Sequence, residues 1–161
     1  MDANTYIQAK NEYYHMDVVP GYWEWLDTQF QLGTLASVSM VYDELSGYGD
    51  ELTDWVKPRK EHFIDVSDDE TQAVFSEIIQ LLADDDFTSK DTDNFLAGAD
   101  PWLIAKAKVT KATVVTLESL VPENSKKIKI PNICRQFDLE YINTFKLLRT
   151  LEAKFVLSKV T

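Results

Sequence analysis

The chain has 161 residues, 45% of them hydrophobic and 12% aromatic, with 27 acidic against 16 basic side chains and a formal net charge of -11. That length fits a single domain around one core, no apolar run approaches a bilayer span, and the charge repels a phosphate backbone unless cations are gathered locally. Cys134 is the sole cysteine, which excludes an internal disulfide and a Cys-based zinc site; with no charged-then-apolar leader before Asp2, a cytoplasmic location is expected.

Asp2 and Asn4 precede Tyr6, Ile7 and Ala9 at helical spacing, so either is a candidate N-cap of a first helix. Val18-Val19-Pro20-Gly21 is a breaker, after which Tyr22, Trp23, Trp25, Leu26 and Phe30 predict an amphipathic helix ending near Gly33. Residues 34–39 are a strand candidate running into Met40-Val41-Tyr42-Asp43-Glu44-Leu45, which puts Glu44 one turn into a helix at a strand's carboxyl end. Residues 50–60 predict a short helix closing on a basic cluster, whose Lys57, Arg59 and Lys60 are weak candidates for phosphate contact. Residues 62–66 read as an edge strand or an extended link. His62 and His15 are far apart in sequence, so a histidine metal site is not expected.

Ser67 and Glu70 have capping-box spacing ahead of an apolar helix, which Asp84-Asp85-Asp86 closes as a solvated loop; the Gly and trailing Glu of a calcium loop are absent. A short helix or turn through Asp91 and Phe95 leads by Gly98 to Asp100-Pro101, an N-cap followed by a proline suited to a first helical turn. Leu103, Ile104 and Ala107 form one face of that helix, and the β-branched run 113–117 predicts a strand ending on Glu118. Beyond a polar loop, residues 128–130 predict a short strand, Pro131 opens a small helix, 139–142 are a last strand and 144–152 a last helix. This alternation predicts an α/β domain with a mostly parallel sheet covered on both faces.

Asp2, Glu44, Asp100 and Glu118 all fall at the carboxyl edge of such a sheet, where ligand crevices of open α/β folds lie. Carboxylates crowded there repel one another unless a cation sits among them, and oxygen donors without His or Cys select Mg²⁺ or Mn²⁺. Such ions deliver hydroxide to a phosphodiester and stabilise the entering and leaving oxygens.

The ordered set of Asp2-Ala3-Asn4, Glu44 in Val-Tyr-Asp-Glu-Leu, Asp100 in Ala-Asp-Pro-Trp-Leu-Ile-Ala-Lys-Ala, and Thr116-Leu117-Glu118 after Thr-Val-Val resembles the PIN-domain nucleases. The likeness is nearest to the bacterial PIN-like toxins of toxin–antitoxin pairs. It implies a PIN-like three-layer α/β/α fold over residues 1–161, with a central, mostly parallel sheet, and metal-dependent hydrolysis of RNA. It also implies Asp2, Glu44 and Asp100 as ligands of a principal Mg²⁺ or Mn²⁺, with Glu118 at a second ion or acting through water. Asn4 and Thr116 would orient ligands or the attacking water. An antitoxin protein is the implied partner, and Trp23, Trp25 and Trp55 are candidate positions for a homodimer or partner surface.

Two features depart from that pattern. Only Met1 stands where PIN domains carry an apolar strand before the first Asp, and the fourth acid is Glu in place of the commoner Asp. A PIN-like binding or interaction module without catalysis is therefore the alternative expectation. A phosphoacceptor signalling domain is a third class, but adjacent acids after a first strand and a Lys after the last have no clear equivalent here.

Overall fold

Prolines, glycines and short polar caps divide the chain into short elements in the computed structural model, which describes residues 1–85 and 87–157. Helix α1 (Ala3–Gln8) starts at Asp2, whose carboxylate accepts the Thr5 N–H, and continues into a π-helical turn over Ala9–Tyr13. Helix α2 (Pro20–Gln31) places proline in its first turn and buries Tyr22, Trp23, Leu26 and Phe30. Strand β1 (Ser37–Val38) feeds α3 (Ser39–Ser46); Asp50 caps α4 (Glu51–Val56), and a 3-10 turn leads to β2 (Phe63–Ile64). Helices α5 (Asp69–Asp84) and α6 (Ser89–Ala97) are capped by Asp68 and Thr88. Helix α7 (Asp100–Thr110) stops at Lys111, which turns into the left-handed region at φ 54°. Strand β3 (Val114–Val115), α8 (Ile130–Gln136), β4 (Tyr141–Ile142) and α9 (Thr144–Thr150) follow.

The class is mixed α/β with parallel pairing, but a single central sheet is not what forms. Among the described residues β1 pairs with β2 and β3 with β4, as two separate two-stranded sheets. The strand candidates 34–39 and 113–117 shrink to two paired residues each, because the chain bends into helix or loop on either side.

Met1 and Asp2 lie between the two sheets. The Met1 amino group donates to the Ala36 carbonyl at 2.9 Å, the Ser37 hydroxyl donates to the Met1 carbonyl at 2.6 Å, and the Asp2 N–H donates to the Val115 carbonyl at 3.1 Å. These two residues bridge the sheets as a middle strand would. Ahead of Met1 the same walls enclose a cleft of about 310 Å³, lined by Ala36, Val38 and Val114 with Leu103 and Ala107 of α7 below. An apolar slot between two strand edges suits an extended apolar segment. A variant lengthened ahead of Met1 by β-branched residues is expected to melt about 5 °C higher than one lengthened equally by Gly and Ser. Equal melting temperatures in a thermal scan would show that the slot accepts no strand.

Three local expectations are corrected. Asp68 caps α5 in place of Ser67: it accepts the Thr71 N–H at 2.9 Å, while the Ser67 hydroxyl is drawn to Asp65. Residues 128–130 form no strand, because the Ile130 N–H donates to the Glu118 side chain and Pro131 opens α8 directly behind it. Asp100 is not the N-cap of α7; Ala99 is, and Asp100 stands inside the first turn. Of the aspartate run, Asp84 ends α5, and residue 86 lies outside the described residues.

One apolar cluster runs from Met1 through Leu26, Val41, Ile78 and Ile104 to Leu147. Helix α5 packs along α7, with Phe75 stacked on Trp102 at 3.8 Å and Lys106 paired to Asp68 at 2.6 Å. Trp23 is only 4% exposed, and its ring meets that of Trp55 edge-on at 5.1 Å. Trp25 is partly buried beside Tyr22. These tryptophans fill space between helices, where large flat rings contribute most. No helix among the described residues is long and apolar enough to cross a membrane.

Candidate functional site

Asp2, at the carboxyl end of the bridge, is 0% exposed. One of its oxygens accepts the Thr5 N–H at 2.8 Å together with the Thr5 hydroxyl, and the other accepts the Thr116 hydroxyl at 2.6 Å. The Thr116 oxygen in turn accepts the Glu118 N–H at 3.1 Å. One buried threonine thus ties the first acid to the backbone of the fourth. Sequence reasoning singled out Thr116 but missed Thr5, whose signal is its place three residues after a capping aspartate.

Glu44 stands in the second turn of α3, one turn in from Ser39 as its spacing predicts. Its Oε1 accepts the Ala99 N–H at 2.9 Å, so α3 caps the start of α7 from outside. Relieved of capping, the Asp100 carboxyl turns toward the other acids. Burial, then Asp2, Glu118 and Glu44 in falling order, push its pKa up to about 7, and Lys129 opposes them. Side chains act on a titration this way only when near it, so acids from four separate segments share one neighbourhood.

Glu118 is held at both oxygens: Oε1 accepts from Lys129 Nζ at 2.6 Å and Oε2 from the Ile130 N–H at 2.8 Å. Nothing in the sequence pointed to Lys129, since its partner lies 11 residues away across an irregular loop. Asn4 is exposed in the first turn of α1. Arg59 gives its guanidinium to both Asp27 oxygens at 2.6 and 2.8 Å and lies over the Trp55 ring, so it is engaged in joining α2 to the end of α4. Lys57 and Lys60 are exposed. Cys134 is buried, which pushes its thiol up to about 12 and leaves it a packing group.

Among the described residues no group of three or more His, Cys, Asp or Glu side chains is set to hold a metal ion as it stands. Glu44 and Glu118 spend oxygens on N–H donors instead. The donor chemistry nevertheless fits a hard cation: the set is all carboxylate, and burial together with the other acids raises the Asp100 pKa to about 7. Mg²⁺ and Mn²⁺ keep several waters and reach carboxylates through them as well as directly.

The family described as a domain of unknown function (DUF4411) matches residues 1–155. No curated protein and no solved structure matches the chain.

Proposed function

The chain belongs to that family, and we propose that it is a PIN-like, Mg²⁺- or Mn²⁺-dependent endoribonuclease. One observation carries the reading: the Asp100 carboxyl keeps its proton to about pH 7 because burial, Asp2, Glu118 and Glu44 all bear on it. Packing four carboxylates together costs stability, and such costs concentrate at functional sites. The ordered acid motifs and the parallel pairing on either side of Asp2 support a PIN-like α/β/α arrangement.

Asp2, Glu44 and Asp100 would hold the principal ion; for Glu118 the resemblance leaves a place at a second ion or through water. A bound ion of this kind supplies hydroxide at neutral pH and offsets charge developing on the phosphodiester. Asp2 is immobilised by Thr5 and Thr116, so its free lone pairs have a fixed direction. Glu44 keeps the start of α7, the positive end of that helix, close to the acids. A cation held there would have to displace the Asp100 proton, so metal affinity is expected to rise with pH up to about 7. An antitoxin partner belongs to the same reading, supported by the toxin resemblance and by a net charge of -11 that a basic protein would complement.

Single-stranded RNA incubated with the protein and Mn²⁺ is expected to be cut internally, and both EDTA and Asp100→Asn are expected to abolish the cutting. Cleavage that persists in EDTA, or a wild type inert with every divalent ion tried, overturns the proposal. The rival reading, a module that binds without cleaving, has the prior commitment of Glu44 and Glu118 to N–H donors in its favour. It predicts retained binding and intact RNA in the same assay.

A further inference from the structure

Glu118 differs from the other three acids in being closed off at both oxygens by one short segment, residues 129 and 130. Its backbone is fixed as well, since its N–H donates to Thr116 at 3.1 Å. With both oxygens engaged from one adjacent segment, this carboxylate is well placed to orient a neighbour. Lys129 is that neighbour. Its ammonium has three N–H donors, of which the Glu118 contact at 2.6 Å uses one. The lysine side chain is 33% exposed against 15% for Glu118, so the cation lies on the solvent side of the pair.

An open cleft of about 640 Å³ begins at this point, between Asp91, Asn94 and Phe95 of α6 and residues 126–129 of the loop. Lys127 and Lys129 both line it. In a chain with a net charge of -11, an anionic substrate needs such a local concentration of positive charge to approach at all. Lys129 also lies near enough to Asp100 to act on it electrostatically. Lys129 therefore belongs both to the lining of the open cleft and, through its ion pair, to the surroundings of Glu118.

Resting on the nuclease reading above, we infer that Lys129 anchors a non-bridging oxygen of the scissile phosphodiester, and that Glu118 is the positioning residue that holds this lysine in place of a ligand to a second ion. The site then uses one divalent ion and one ammonium. A phosphate seated on Lys129 would lie along the cleft floor, with neighbouring backbone phosphates passing Lys127.

The test combines Mn²⁺ stoichiometry by calorimetry with steady-state cleavage of a single-stranded RNA, on the full chain and on variants whose folding is checked by circular dichroism. The wild type is expected to bind one Mn²⁺ per chain, and Glu118→Gln to keep that stoichiometry. Lys129→Gln is expected to raise KM about tenfold with a smaller change in kcat, and Lys129→Arg to restore most of the loss. Glu118→Gln should raise KM in the same direction by freeing the lysine. Two ions per chain with the second lost in Glu118→Gln, or a KM unmoved by Lys129→Gln, overturns the inference while leaving the nuclease intact. A wild type that binds no Mn²⁺ and cuts no RNA overturns the parent reading, and this inference with it.

Discussion

Asp100→Asn is expected to stabilise the metal-free protein at alkaline pH while removing its cleavage activity. The Asp100 pKa is raised from 3.8 to about 7 in the folded chain, so the native state holds a proton that the unfolded state has already released. Where the native state binds more protons than the unfolded one, stability falls as pH rises. The loss therefore begins near the ordinary carboxylate value, accumulates between about pH 4 and pH 7, and is complete above that. Asparagine cannot ionise and escapes it. The gain at pH 8 is expected to be on the order of 2–4 kcal/mol, read by urea denaturation in EDTA at pH 5 and pH 8. Burial lowers the Met1 amino group pKa to about 6, and this group acts with the opposite sign in both proteins, so the readout is the difference between variant and wild type, which should grow from pH 5 to pH 8. Mn²⁺ should restore the wild type at pH 8 and leave the variant almost unmoved. A difference between variant and wild type that is the same at both pH values in EDTA would mean that Asp100 ionises without opposition and that the other acids do not bear on it.

Asp2→Ala is expected to act in the opposite sense and lose about 3 kcal/mol. Asp2 caps α1, is 0% exposed, and accepts from the Thr5 N–H and from the hydroxyls of Thr5 and Thr116. Alanine leaves these donors in the interior without their acceptor, and an unpaired buried donor costs more than its hydrogen bond contributes when made. Relief of Asp100 offsets part of the loss, because Asp2 is the largest of the charges acting on it. Asp2→Asn retains an acceptor oxygen for the cap and should fall between alanine and the wild type. Chemical denaturation at pH 7 reads the order directly. A loss under about 1 kcal/mol for the alanine variant would show that the Asp2 carboxylate does not tie α1 to Thr116. Two acids of one proposed metal set are thus separated by the sign of their effect on stability, since Asp2 is rewarded with donors and Asp100 is opposed by like charge.

Much of the local structure was legible along the chain. Asp2 as a cap, Pro131 in a first helical turn, the apolar face of α7 and the strands at 114–115 and 141–142 all follow from interactions spanning a few residues; Pro20, read as part of a breaker, instead stands in the first turn of α2. Where neighbouring polar groups compete, local reading chose wrongly. Ser67 and Asp68 both suit a cap, and the carboxylate took the Thr71 N–H. Asp100 before Pro101 has the pattern of an N-cap, yet the donor at that helix start went to Glu44, which is 55 residues away.

The sequence alone determined which groups are offered to a hard cation: four carboxylates in order, with a threonine two residues before the last of them. Side-chain chemistry and local spacing are enough for that, because both are properties of short stretches of chain. Only the tertiary structure decided that two residues, Met1 and Asp2, bridge two short sheets, that Glu44 caps α7, and that Lys129 closes over Glu118. Those contacts join segments separated by long stretches of chain. They are chosen when the apolar faces pack as one body and each buried donor must find an acceptor within reach, a competition that no single stretch of sequence contains.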